Sequence, residues 1–224
     1  MNQTFLAKTL LRRDIIEGRW PPSEWLRLQE LRKEYNLGSS PLREALTGLA
    51  GEGLIEFAAN RGFRLKPLTR SDLLDIEWMR VTVETAALRQ SIAKGGVEWK
   101  AEVVGALYRL KDITLNTATD KEGLDAWNDE HDEFHKALIS ACGSPRALEI
   151  QRRLADQHRR YRIALMDENM NREEIIEQHT AIADATVSGK TEEAVELLER
   201  NLRTTTEFYS SVLDDRMSDS EKKS

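Results

Sequence analysis

LGSSPLREALTGLAGEG, residues Leu37 to Gly53, decides the fold. Ser39 and Ser40 are residue types that cap helices, and they stand before Pro41, which a helix tolerates in its first turn. From there Leu42, Ala45, Leu46, Leu49 and Ala50 form a 3.6-residue apolar stripe, and Gly51 and Gly53 stop it. The other face carries Arg43 with the small Ser40, Thr47 and Gly48. Upstream, Leu28 to Tyr35 (LQELRKEY) has a second short helical pattern, and Asn36, Leu37 and Gly38 form the turn between the two. Two short helices joined by a Gly-containing turn predict a helix-turn-helix.

Downstream, Leu54 to Phe57 and Phe63 to Leu65 are strand-like and flank Ala58 to Gly62, a hairpin tip carrying Arg61. Helix-turn-helix followed by hairpin predicts a winged helix, a module that places its second helix in the DNA major groove. Thr4 to Glu17 predicts a preceding helix with Phe5, Leu6, Leu10, Leu11, Ile15 and Ile16 on its buried side. Pro21 to Arg27 predicts an extended connection. Charge follows the same division. Residues 1–66 hold 11 Lys and Arg against 8 Asp and Glu, while the rest holds 22 against 31. A basic head on an acidic body localises nucleic-acid binding to one end.

Beyond a linker at 67–70, with Ser71 and Asp72 as caps, the patterns are helical throughout. The expected helices are 71–94, 98–117, 122–142, 145–167, 172–188 and 191–213, and the breaks fall at Gly95-Gly96, Thr117–Asp120, Gly143–Pro145, Asn169–Asn171 and Ser188–Lys190. The fold class is mainly α: a winged helix-turn-helix over 1–66 with a small β-hairpin wing, then an all-α antiparallel six-helix bundle over 71–213. The polar residues 214–224 are expected to be a disordered tail. The single cysteine, Cys142, excludes an internal disulfide framework and suits a reducing cytoplasm. No apolar run is long enough to span a bilayer, and the opening MNQTFLAKTLLRRDII is amphipathic rather than a leader.

Several polar residues fall on the bundle's apolar faces. Arg80 lies within about 60° of Leu73, Ile76, Val83 and Ala87, with Glu84 one turn on. That pattern fits a structural Arg80–Glu84 pair or an arginine that clamps a ligand carboxylate. His131 and His135 share a face with Trp127, Phe134, Leu138 and Cys142, at the i,i+4 spacing by which two imidazoles hold one metal ion. His179 shares a face with Ile175, Ile176, Ile182 and Ala183, and Asn201 with Leu197, Leu198 and Phe208. His158, in the run QHRRYR, flanks Leu154, Tyr161 and Leu165 and reads as structural or at a pocket's edge. An alternative makes His131, His135 and His179 a catalytic metal site with Glu84 as general base; it leaves the winged helix unexplained.

The chain resembles the GntR-type bacterial transcription regulators. The resemblance rests on Gly18, Pro22 and Leu26, on SSPLREALTGLAGEGLIE from Ser39 to Glu56, and on Arg61 and Gly62. Where the family reads Val-Ser-Arg-x-Pro this chain has Leu37, Gly38, Ser39, Ser40 and Pro41, so Ser39 replaces the customary arginine. The implied function is a homodimeric, ligand-responsive regulator, more often a repressor, on a palindromic double-stranded operator. The expected DNA contacts are Ser39, Ser40 and Arg43, supported by Gln29 and Arg32, with Asn60, Arg61 and Gly62 in the wing. Residues 71–213 look like the ligand-binding FCD-type domain of the FadR-like branch, and six helices suggest its VanR-like subgroup.

In many members of that branch a divalent metal, often zinc, is held by an aspartate, a histidine four residues later and two further histidines. His135 and His179 match the first two histidines; His131 stands at the aspartate and Asn201 at the last histidine. Asparagine oxygen is a poor zinc ligand beside imidazole, so the resemblance implies either a weaker three-histidine site of His131, His135 and His179, for zinc, nickel or manganese, or a site that has lost its metal. It also implies an effector pocket of Arg80, Glu84, His131, His135, His179 and Asn201 that takes a small carboxylate. Asp132 cannot replace the aspartate, since it lies about 100° round the helix from His131.

Overall fold

The structure, a computed structural model, describes residues 2–116, 121–165 and 171–221, with side chains through Asp215. The expected break at Thr117–Asp120, and Asn169 and Met170 of the next one, lie outside the described residues.

The head opens with α1 (Gln3–Ile16), whose first turn is capped by the Asn2 side chain, accepting from the Thr4 N–H at 2.9 Å. Its buried side is Ala7, Leu11, Ile15 and Ile16, while Phe5 is 65% exposed and Leu6 and Leu10 are half-buried. The expectation for Phe5 is corrected, because it projects about 200° round the helix from Ala7. Asp14 is buried here too, and it accepts from Arg13, Arg19 and the Tyr35 hydroxyl.

The helix-turn-helix is α2 (Leu28–Tyr35) and α3 (Ser39–Gly51), joined at Asn36 in the left-handed conformation with φ 51°. The cap of α3 is Gly38 with extended backbone, so Ser39 and Ser40 belong to the first turn rather than preceding it. Pro41 still sits where its missing N–H costs nothing. Leu42, Ala45, Leu46 and Leu49 are buried against Leu11, Leu31, Leu54, Phe63 and Leu65. The wing is β2 (Ile55–Ala58) and β3 (Gly62–Leu65), paired antiparallel. A third strand, β1 (Trp25–Leu26), pairs with β3 on its other edge, within the segment expected to be only extended.

The bundle is α4 (Arg70–Lys94), α5 (Val97–Asn116), α6 (Lys121–Ile139), α7 (Pro145–Leu165), α8 (Arg172–Val187) and α9 (Thr191–Glu221). The cap of α4 is Thr69, whose hydroxyl accepts from the Asp72 N–H, in place of the expected Ser71 and Asp72. Helix α9 runs past Leu213 to Glu221, where a disordered tail was expected; with no Gly or Pro between Asp214 and Glu221, nothing interrupts its backbone ladder. Helix α4 packs along α9 and α7, and α5 along α6 and α8. Leu88, Val103, Ala106, Leu110, Phe134, Leu138, Ile182 and Leu198 form the main core.

Helix α7 also carries the head. The Gln157 amide donates to the Glu52 carbonyl at 2.9 Å, and Arg160 donates to the Lys66 carbonyl at 2.6 Å. The Tyr161 hydroxyl accepts from the Thr69 N–H at 3.2 Å and donates to the Asp72 carboxylate at 2.8 Å. Arg12 of α1 reaches both Glu52 and Asp156, and Ile163 packs on the head's core. Burial pushes the Glu52 carboxyl up, but Lys8 and Arg12 outweigh it and hold the group below the usual range.

Candidate functional site

Gln29, Arg32, Ser39, Ser40 and Arg43 are exposed, as are Asn60 and Arg61 at the wing tip, where Asn60 takes φ 63°; Gly62 is half-buried at the start of β3. Ser40 donates to Glu44 at 3.2 Å, and Glu44 also accepts from Thr4, tying the start of α3 to α1. Among the described residues no ion pair engages Arg32, Arg43 or Arg61, although most arginines elsewhere in the chain have one. Three unneutralised guanidinium groups, on α2, α3 and the hairpin tip, are therefore open to solvent, where phosphates and base edges can meet them.

In the bundle, His131 and His135 on α6 meet His179 on α8. Their ring centroids are 4.7 Å (131–135), 5.2 Å (131–179) and 5.6 Å (135–179) apart. One nitrogen from each lies within 4.8 Å of the others. A cavity of about 380 Å³ opens beside them. Trp127, Ile175, Phe208 and Tyr209 give it apolar walls, and His131, Arg162, His179, Asn201, Thr204 and Thr205 give it polar ones.

Arg80, Glu84 and His135 are buried behind this wall and do not line the cavity. Arg80 Nε donates to Glu84 Oε1 at 2.7 Å, so the geometry is that of the structural pair. Burial pushes the Glu84 carboxyl up, but Arg80 and His135 outweigh it and the carboxylate is held below its usual range. The arginine that reaches the cavity is Arg162 of α7, which is 2% exposed. It donates to Asn128 Oδ1, to His131 Nδ1 at 2.7 Å and to Asp132 Oδ1 at 2.7 Å, with its guanidinium 5.7 Å from the Trp127 ring centre. Sequence reasoning missed it. The available signal was its place about 60° from Leu165 and 80° from Leu154, nearer the apolar stripe than Arg159 or Arg160.

Burial, with neighbouring cations, holds the histidines neutral: His131 and His158 fall well below their ordinary value, and His179 is lowered to about 3. Burial pushes the Asp132 carboxyl up, yet the Arg162 and Arg159 guanidinium groups outweigh it and hold the group far below the usual range. His158 stacks on Tyr209 at 5.7 Å and is absent from the cavity wall. Asn201 Nδ2 donates to Gln178 Oε1 at 2.9 Å.

The three imidazoles differ as metal ligands. His179 Nδ1 lies 2.7 Å from the Ile175 carbonyl and must donate to it, leaving a lone pair on Nε2. His135 Nδ1 approaches Glu84 Oε2 only to 3.5 Å, and neither of its ring nitrogens has a hydrogen-bond partner, which leaves the imidazole open to an ion. Nδ1 of His131 instead faces a guanidinium, which only donates, so the neutral ring keeps its proton on Nε2. Two of the three fit a metal; the third, in this arrangement, does not.

A winged helix-turn-helix with an open cationic face, carried on an all-helical body with a polar pocket, defines a DNA-binding transcription regulator. Residues 7–65 match the family described as bacterial regulatory proteins, gntR family, and residues 75–204 match the FCD domain. The chain belongs to the GntR family and carries an FCD domain. It is 35% identical over 198 residues to the HTH-type transcriptional repressor GlaR of Escherichia coli (strain K12), covering 87% of this chain and 90% of GlaR. It is 34% identical over 193 residues to the HTH-type transcriptional regulator BphR of Paraburkholderia xenovorans (strain LB400), covering 86% and 79%. The fold matches E. coli McbR/YncC with TM-score 0.78 at 18% identity, over 94% of this chain and 98% of that one. A GntR-type regulator of Rhodococcus sp. RHA1 matches with TM-score 0.77 at 23% identity, over 93% and 98%. The chain is a regulator and not an enzyme, so the catalytic reading of the histidines is set aside.

Proposed function

We propose that this protein is a homodimeric repressor of the FadR-like branch, VanR-like subgroup, acting in the cytoplasm on a palindromic operator that a small carboxylate-bearing effector makes it release. The observation that carries the reading is the exposed Arg43, the fifth residue of α3 and in no ion pair among the described residues, on a head bonded through α7 to a pocket containing Arg162. The six helices α4–α9 support the subgroup, and GlaR's description as a repressor supports the sign of regulation. A dimer follows from DNA geometry, since one winged helix makes few base contacts and two-fold pairing doubles them. Trp78 and Tyr108, 62% and 71% exposed, are aromatic surface of the kind a subunit contact covers.

The effector's carboxylate is assigned to Arg162 instead of Arg80, and Asn201, His131 and His179 would contact the rest of the ligand. The divalent ion that the resemblance implies is not needed for this reading. The test is selection of duplexes from a random pool, followed by fluorescence anisotropy on the selected site at fixed salt. The wild type should enrich inverted half-sites, and Arg43→Ala should weaken binding by roughly 5- to 150-fold, the cost of one good base contact. Unchanged affinity in Arg43→Ala, or selection of no common sequence, would overturn it.

A further inference from the structure

The histidine cluster is built for metal on two sides and blocked on the third. His179 holds Nδ1 against the Ile175 carbonyl and leaves Nε2 without a hydrogen-bond partner, and neither ring nitrogen of the buried His135 has a partner. His131 is turned the other way by Arg162, itself fixed by Asn128 and Asp132. Asp132 Oδ1 lies 3.5 Å from His131 Nδ1, but Arg162 is nearer that nitrogen, at 2.7 Å, and the carboxylate is engaged by Arg162 at 2.7 Å and Arg159 at 3.3 Å. A cation entering the cluster would therefore meet an N–H at His131 and a buried guanidinium behind it. Both repel it, the first by geometry and the second by charge in a medium of low dielectric.

We propose that Arg162 closes this cluster to divalent metal and turns His131 into a hydrogen-bond donor, so that the pocket takes a carboxylate oxygen on His131 Nε2–H and Arg162 where a metal would otherwise sit. Near His131 the wall is one of donors, the guanidinium and the imidazole N–H, with the Asn201 amide beside them; the carboxylate of the lining, Glu174, accepts from Asn171 and Gln178. The carboxylate half rests on the effector reading above; metal exclusion does not, and it is measured without DNA or effector.

The experiment is titration of the full-length protein with cobalt(II), followed by its visible absorption, and with zinc by competition. It uses the wild type, His131→Asn, Arg162→Met and the double variant, alongside nitrogen-15 NMR of the histidine rings. In the wild type, binding should be weak and unchanged within twofold by His131→Asn, and His131 should show a pyridine-like Nδ1 and a pyrrole-like Nε2. Arg162→Met should bind at least tenfold more tightly, and His131→Asn in that background should abolish the gain. Stoichiometric micromolar binding by the wild type overturns the proposal, whether or not His131→Asn removes it. So does an Arg162→Met protein that folds and binds no better. If Arg162→Met does not fold, the wild-type tautomer and the His131→Asn titration still decide: a pyrrole-like Nδ1 refutes it. The carboxylate half is tested by benzoate against benzamide on the wild type. Benzoate alone should shift the His131 nitrogen resonances and raise the melting temperature, and equal effects, or none from benzoate at about 10 mM, tenfold above a millimolar dissociation constant, refute it.

Discussion

Gly53 sits where the head meets α7, and replacing it with alanine tests how firmly the two are bonded. Its φ is +78°, a left-handed conformation that costs an alanine roughly 1 kcal/mol. An added Cβ would also lie 2.8 Å from Gln157 Nε2, too close to remain, so the Gln157 side chain has to swing away. That forfeits its 2.9 Å bond to the Glu52 carbonyl, worth about 1 kcal/mol. Gly53→Ala should therefore destabilise the protein by about 2 kcal/mol and lower the melting temperature by about 4–8 °C. Calorimetry and amide exchange at Glu52 to Leu54 measure it. Gly51→Ala is the control, because a Cβ there meets nothing within 4 Å, and it should be neutral or stabilising. Adding Gln157→Ala to Gly53→Ala should be less than additive by about 1 kcal/mol, since the clash and the bond are then already gone. Equal melting temperatures for Gly53→Ala and Gly51→Ala, or strict additivity with Gln157→Ala, would refute the reasoning.

Arg80→Met leaves the fully buried Glu84 carboxylate with His135 alone, and breaking such a pair should cost about 3–5 kcal/mol in urea unfolding; adding Glu84→Gln should recover much of it. His158 is held neutral by burial and then by Arg80 and Arg162, so its folded pKa lies below the unfolded value of about 6.5. The unfolded chain then binds the extra proton, and stability should fall as pH drops below about 6.5, by up to about 1.4 kcal/mol per pH unit for each such histidine. Replacing His158 with Asn should make a series of melting temperatures between pH 6.5 and 5 less steep, and an unchanged slope would count against its being neutral.

Much of the head is legible in its own sequence because short-range rules dictate it. Pro41 after small polar residues, glycines at the helix end and a 3.6-residue apolar stripe each specify α3 locally, and tertiary packing has little left to decide. Strand β1 was not legible, since two residues are too few to alternate, and Trp25–Leu26 is a strand only because β3 lies beside it. The pocket divides the same way. Periodicity places Arg80, His131, His135 and His179 inside the bundle, but it cannot say whether an interior arginine faces a cavity or a carboxylate. Arg159, Arg160 and Arg162 are nearly consecutive, yet Arg159 goes to α6 carboxylates, Arg160 to the Lys66 carbonyl of the head, and Arg162 to α6 side chains at the cavity wall. Those destinations depend on which helix crosses which, something no spacing within one helix encodes.

Because α7 holds the head through Gln157, Arg160 and Ile163, the linker through Tyr161 and the cavity through Arg162, the two modules do not part at the linker. A chimera joined at residues 66–70 would place a foreign head against side chains shaped for this one. The transplantable unit is the head together with that face of α7, and a biosensor that borrows this bundle for a new operator would have to carry both.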